Sequence, residues 1–262
     1  MKIQLSFSAL LLAITVYSQS FTKAPSLPTV SNIDSRAMVA TDLDNNSWPD
    51  LLFATRRSGN SHLFFNFRES FIKAPSNNLI NTNTANVAMA TIGDYNNDCI
   101  PDVFMANGGG GIDGTTVANQ LYKANGGGSY SLVSTSGTTV RTRYSNSAVW
   151  VDFDKDGDLD LYVLNTNNQK NEYYQNDGTG NFTEVDTLGF TKELSKSHHA
   201  SFCDYDGDGD LDFFEPVKGK DNLLFRNDDS IFTKITSGKI VKDGGASFSV
   251  AWGDYDNDGD FD

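Results

Sequence analysis

A nine-residue acidic motif occurs five times in this chain at nearly even intervals: DLDNNSWPD from Asp42, DYNNDCIPD from Asp94, DFDKDGDLD from Asp152, DYDGDGDLD from Asp204 and DYDNDGDFD from Asp254. Successive copies start 50 to 58 residues apart. A fixed period of that length implies a repeat architecture. Each unit is then one supersecondary element that buries its apolar surface only against its neighbours.

Four positions of the motif, the first, third, fifth and ninth, are Asp or Asn in every copy. They are Asp42, Asp44, Asn46 and Asp50; Asp94, Asn96, Asp98 and Asp102; Asp152, Asp154, Asp156 and Asp160; Asp204, Asp206, Asp208 and Asp212; and Asp254, Asp256, Asp258 and Asp262. Alternate side chains of a tight loop converge on one point, so these positions offer side-chain oxygens to a cation. The seventh position is Trp48, Ile100, Asp158, Asp210 or Asp260. Such indifference to side chain predicts that its backbone carbonyl is the ligand. The second and eighth positions are apolar throughout and predict packing of the loop onto a core. Three or four carboxylates plus a carbonyl suit Ca²⁺, which takes six to eight oxygens. Zn²⁺ prefers nitrogen and sulfur, and the whole chain has three His and two Cys. About one Ca²⁺ per repeat is therefore expected. Gly157, Gly207 and Gly259 supply a sharp turn in the last three copies, where positive φ favours glycine. Ser47 and Cys99 break that pattern, and Asn46 and Asn96 each remove a charge. The first two sites are accordingly expected to be weaker or differently bent. A helix–loop–helix calcium site needs Glu at position 12; Phe53, Met105 and Val163 stand there, and only Glu215 fits.

The formal net charge is −14. Eighteen of the carboxylates occupy presumed ligand positions, so five Ca²⁺ would leave a charge of about −4. Much of the acidity is thereby explained, and the chain has no basic patch for nucleic acid. Residues 1–20 have the layout of a secretory signal peptide: Lys2, an apolar run from Leu5 to Val16, then small and polar residues. The run is too short to span a bilayer. A secreted or cell-surface location is expected, where Ca²⁺ is abundant.

Four short apolar runs recur in each full repeat. The third repeat carries SAVWV, DLYVL, NEYYQN and FTEV, with NDGTGNF as a hairpin turn before the last. Val, Phe, Tyr and Thr favour strands. Each repeat is therefore predicted to be a four-stranded antiparallel sheet whose acidic loop joins strands one and two. Such sheets stacked radially form a β-propeller, so the fold class is all-β. Four repeats are complete, and the fifth ends at Asp262 in its loop, predicting an open arc or incomplete ring. The loops and the strand-three pattern resemble the FG-GAP/VCBS repeat family, which includes the integrin α-subunit propeller. The resemblance covers residues 21–262 and implies a calcium-binding propeller, commonly seven-bladed, secreted or cell-surface. The expected role is an adhesion or interaction module for an extracellular protein or glycan, with structural metal. A polysaccharide lyase on the same propeller, or a scaffold for a further C-terminal domain, is the alternative.

Other features read as structural. Trp150 and Trp252 are spaced as core residues of strand one. His198 and His199 begin a strand at the surface. The glycines at 108–111 and 126–128 lack the Lys-Ser/Thr ending of a phosphate loop. Cys99 and Cys203 are expected to be buried free thiols. No nucleophile–base arrangement is visible.

Overall fold

The computed structural model describes residues 34–55, 60–68, 70–75, 78–80, 86–108, 117–134, 136–139 and 141–261. The expected signal peptide, the segment 21–30, most of the 108–111 glycine run and Asp262 lie outside them.

Each complete repeat forms one antiparallel four-stranded sheet in simple up-and-down order. The first contains β1 (Ser35–Thr41), β2 (Asp50–Thr55), β3 (His62–Asn66) and β4 (Phe71–Lys73). The second contains β5 (Val87–Gly93), β6 (Asp102–Asn107), β8 (Gln120–Ala124) and β9 (Tyr130–Val133). Between β6 and β8 runs β7 (Val117–Ala118), which pairs with β10 (Thr142–Arg143) as a small ribbon. The third contains β11 (Ser145–Val151), β12 (Asp160–Asn165), β13 (Glu172–Asn176) and β14 (Phe182–Glu184). The fourth contains β15 (Ser201–Cys203), β16 (Asp212–Glu215), β17 (Leu223–Asp228) and β18 (Ile231–Ile235). Every acidic loop of these four joins strand one to strand two, as expected.

Alternation along the second strand of each sheet positions the core. Side chains of a strand point to opposite faces with period two. In β6, Val103 and Met105 face the first sheet, while Phe104 and Ala106 face the third. In β12, Leu161 and Val163 face the second sheet, while Tyr162 and Leu164 face the fourth. Both faces are buried, so these strands read as continuous apolar runs. The core thus consists of layers between successive sheets, as a propeller requires. Between the third and fourth it is mostly aromatic: Phe153, Tyr162, Phe190, Phe202, Phe213 and Phe232 meet at ring-centroid distances of 4.6 to 5.9 Å.

The fifth repeat departs from expectation. Its apolar run FSVAWG forms no strand. A strand is held by ladder hydrogen bonds to a partner, and no strand among the described residues pairs with this run. Trp252 and Val250 still pack against Phe214 and Leu224 of the fourth sheet.

Candidate metal centres

The loops fold by accepting their own amide protons. The first-position carboxylate accepts from the amides of the fifth and sixth positions: Asn46 and Ser47 on Asp42 at 3.0 and 2.7 Å, Asp98 and Cys99 on Asp94 at 3.0 and 2.7 Å, Asp258 and Gly259 on Asp254 at 3.1 Å each. In the third and fourth loops Gly157 and Gly209 donate to Asp152 and Asp204 at 3.2 and 2.9 Å. In all five, the fifth-position side chain accepts from the seventh-position amide at 2.8 to 3.1 Å. Two residues per loop, not one, take positive φ. The sixth position is Ser47, Cys99, Gly157, Gly209 or Gly259, and the fourth is Asn45, Asn97, Lys155, Gly207 or Asn257. Gly207 thus belongs to the fourth position, and Gly209 makes the turn expected of it. Ser47 and Cys99 hold the same conformation without glycine, so the first two loops are not differently bent there.

The ninth-position carboxylate is the keystone of each complete blade. Asp50, Asp102, Asp160 and Asp212 are fully buried at the start of strand two. One oxygen accepts an amide of strand three: Asn66, Ala124, Asn176 and Asn227 donate at 2.7, 2.7, 2.9 and 2.8 Å. The other accepts the second-position amide, at 2.8 Å from Leu43, 3.4 Å from Phe153 and 2.9 Å from Tyr205. Burial pushes the carboxyls up, Asp102 to about 7 and Asp160 and Asp212 to about 6, with Asp50 also raised. Neighbouring carboxylates push the same way. A divalent cation among them would reverse that direction.

Of the candidate ligands, four groups converge: Asp42, Asp44 and Asp50; Asp152, Asp154 and Asp156; Asp204, Asp206 and Asp212; and Asp254, Asp256 and Asp258. Within each group one oxygen per residue lies within 4.8 Å of the others. Three hard anionic oxygens around one point fit Ca²⁺ and suit no softer ion. Asp208 sits in its loop outside these groups. Asp160 lies outside its loop's group, and Tyr173 donates its hydroxyl to it at 2.5 Å. Asp94, Asp98 and Asp102 of the second loop do not converge among the described residues. Trp48, Ile100 and Asp260 occupy the seventh position with exposed or half-buried side chains. Asp158 and Asp210 at that position point to the preceding loop. Asn97 donates to Asp158 at 2.5 Å, and Lys155 pairs with Asp210.

Each loop also docks on the next blade. Tyr130 donates its hydroxyl to the carbonyl of Leu43 at 3.0 Å, and Asn176 its side-chain amide to that of Tyr95 at 2.7 Å. Trp150 stacks on Tyr95 and Trp252 on Tyr205 at 6.2 and 6.1 Å. The tryptophans are thus packing residues. Sequence reasoning missed the strand-three residues that reach over the loops: Lys123 to Asp98, Gln175 to Asp154 and Arg226 to Asp206. Their signal was their shared place one residue before the amide that holds the ninth carboxylate.

His198 and His199 precede β15, half-buried, and burial lowers both pKa values. Asn146 and His198 share a hydrogen bond of 2.8 Å. Cys203 is buried, but Cys99, expected to be buried, is exposed because the sixth position of the loop turns outward; both are free thiols. No helix among the described residues is long and apolar enough to cross a membrane.

The model of the FG-GAP-like repeat matches residues 42–105, 94–163 and 152–215. No curated protein matches the sequence. Among solved structures, an Agrocybe aegerita lectin recognising non-reducing terminal N-acetylglucosamine is similar, with TM-score 0.51 and 16% identity over 79% of this chain and 52% of that one. The chain thus spans about half the length of that lectin. The V. cholerae biofilm matrix protein Bap1 matches at TM-score 0.44, with 13% identity over 77% of this chain and 28% of that one. BBS1N in complex with ARL6DN matches at 0.46, with 12% identity over 82% and 60%. At these identities the lectin establishes the likeness of fold alone.

Proposed function

The chain belongs to the FG-GAP-like repeat family, and from that premise we propose that it is a calcium-held β-propeller module, acting outside the cell to present a surface to a protein or glycan. The observation that carries the metal reading is the convergence of three carboxylates in four separate loops, each at the same place in its repeat. Like charges so placed repel, and a divalent cation removes that repulsion. In the first and fourth blades, whose groups include the ninth-position carboxylate, the ion would tie strand one to strand two, because that carboxylate is the first residue of strand two. The module role follows from architecture: rigid sheets with the loops gathered at one end of each blade leave broad surfaces for contact. Secretion is supported by the leader-like residues 1–20, and the calcium concentration outside cells suits the dissociation constants of about 10⁻⁴ to 10⁻³ M of extracellular modules.

Calorimetric titration of the chelator-stripped chain tests the metal reading. Calcium binding with a rise in melting temperature is expected; heatless addition with an unchanged melting curve refutes it. Capture on glycan arrays and matrix proteins, with and without chelator, tests the module reading. Binding abolished by chelator is expected, and absence of binding to every extracellular glycan and protein offered would refute it.

A further inference from the structure

The second blade keeps the strand-three amide on its ninth-position carboxylate but departs from the others in the side chains that strand three sends to the loop. In the first, third and fourth blades an asparagine ends this contact: Asn66, Asn176 and Asn227 donate side-chain amides to the eighth-position carbonyls of Pro49, Leu159 and Leu211 at 2.9, 3.1 and 3.2 Å. Ala124 stands there in the second blade and offers no such donor. One residue earlier stand Phe65, Lys123, Gln175 and Arg226. The ammonium of Lys123 lies 3.2 Å from Asp98, the fifth-position carboxylate. Arg226 also carries a cation, but its guanidinium is engaged by Asp228 at 3.0 Å and is 3.9 Å from Asp206. The fourth loop still gathers its three carboxylates.

Within the second loop, the third position is Asn96, whose side-chain amide donates to Asp102 at 2.8 Å. Asn96 thus puts a neutral amide where the other loops present a carboxylate, and Lys123 brings a cation to the fifth-position carboxylate. Each converging group in the other loops includes a third-position aspartate; the second loop has the neutral Asn96 there. The loop keeps its backbone conformation, since Asp94 still accepts the amides of Asp98 and Cys99.

We infer that the second loop takes no divalent cation and is closed instead by Lys123 and Asn96, which make it a metal-independent blade within a metal-dependent array. The ammonium neutralises Asp98, and the Asn96 amide donates to a carboxylate oxygen of Asp102. The inference rests on the calcium reading of the other loops.

Native mass spectrometry of the calcium-loaded chain counts ions on the folded species. Asp156→Asn is expected to carry one ion fewer than the parent, Asp98→Asn the same number, and Asn96→Asp combined with Lys123→Gln one more. Lys123→Gln alone should lower the melting temperature equally in calcium and in chelator, which reads the ion pair should Asp98→Asn not fold. Loss of an ion in Asp98→Asn alongside Asp156→Asn overturns the inference while the calcium reading stands. A double variant with the parent count overturns the roles of Lys123 and Asn96. A parent chain with no ions overturns the calcium reading, and this inference with it.

Discussion

The third and fifth repeats carry nearly the same nine residues, DFDKDGDLD and DYDNDGDFD, yet only the third sits in a sheet. Their loops are alike. Asp152, Asp154 and Asp156 converge, and so do Asp254, Asp256 and Asp258. Positive φ falls at Lys155 and Gly157 in one and at Asn257 and Gly259 in the other. Their surroundings are opposite: Phe153 is 5% exposed and Tyr255 90%. The loop is therefore a local structure, written in nine residues and closed by their own amides. Strands and the burial of the second position come from neighbouring blades.

That contrast breaks most readily at the second position. Phe153 contacts Tyr173, Phe190, Phe202 and Phe232. Phe153→Ala should cost about 3–5 kcal/mol, as aromatic truncation in a packed core does. Tyr255→Ala should stay within about 0.5 kcal/mol, as surface substitutions do. Chemical denaturation of the two variants measures both. Equal losses would mean that the fifth loop is packed as the third is.

Metal removal sharpens the comparison next. If both loops bind calcium, Asp156→Ala and Asp258→Ala should each lose one ion. Only the first should lower the melting temperature in millimolar calcium, because only there does a sheet depend on the loop. In chelator Asp156→Ala should matter little, and an equal loss in both conditions would remove the metal from the account.

Protonation provides a smaller effect of known sign. In chelator the buried ninth-position carboxyls hold protons in the native state that the unfolded chain releases, Asp102 up to about pH 7 and Asp160 and Asp212 up to about 6. Their contribution is present in full below the unfolded value of about 4. It is lost as pH rises through the folded values. The metal-free melting temperature should therefore fall between pH 4.5 and 7. With calcium bound the carboxylate form is preferred and the fall should be abolished or reversed. A metal-free melting temperature that rises over this range would contradict the assigned burial.

What could be read in the sequence follows the same division. The converging Asp42, Asp152, Asp204 and Asp254 groups, and the strand pairs flanking four of the loops, recur with the period and so were visible in one dimension. The motif cannot reveal that Tyr173 reaches Asp160 across the sheet. Lys155 gave no hint of positive φ, which the loop closure imposes on it. FSVAWG has the composition of a strand and pairs with no strand among the described residues. Lys123 and Ala124 were legible in principle, since NQLYKA aligns with NEYYQN and NLLFRN, but their meaning needs the register that places them over the loop.

The smallest effect tests whether the loops communicate along the array. Asp158 occupies the seventh position, where the backbone carbonyl is the proposed ligand, and its side chain faces the preceding loop instead. Asn97 donates to it there, and the backbone of Gly178 lies close by, with φ of +73°. Asp158→Asn keeps the shape and one acceptor oxygen but removes the charge that strengthens the bond from Asn97. An exposed charge-assisted hydrogen bond reduced to a neutral one should cost about 0.5–1 kcal/mol. That corresponds to roughly 1–4 °C in a chain of this size, with the calcium count unchanged. A double-mutant cycle with Asn97→Ala should recover most of the loss as coupling between the two residues. A loss of an ion from Asp158→Asn would instead make the side chain a ligand and place the seventh position inside the coordination sphere.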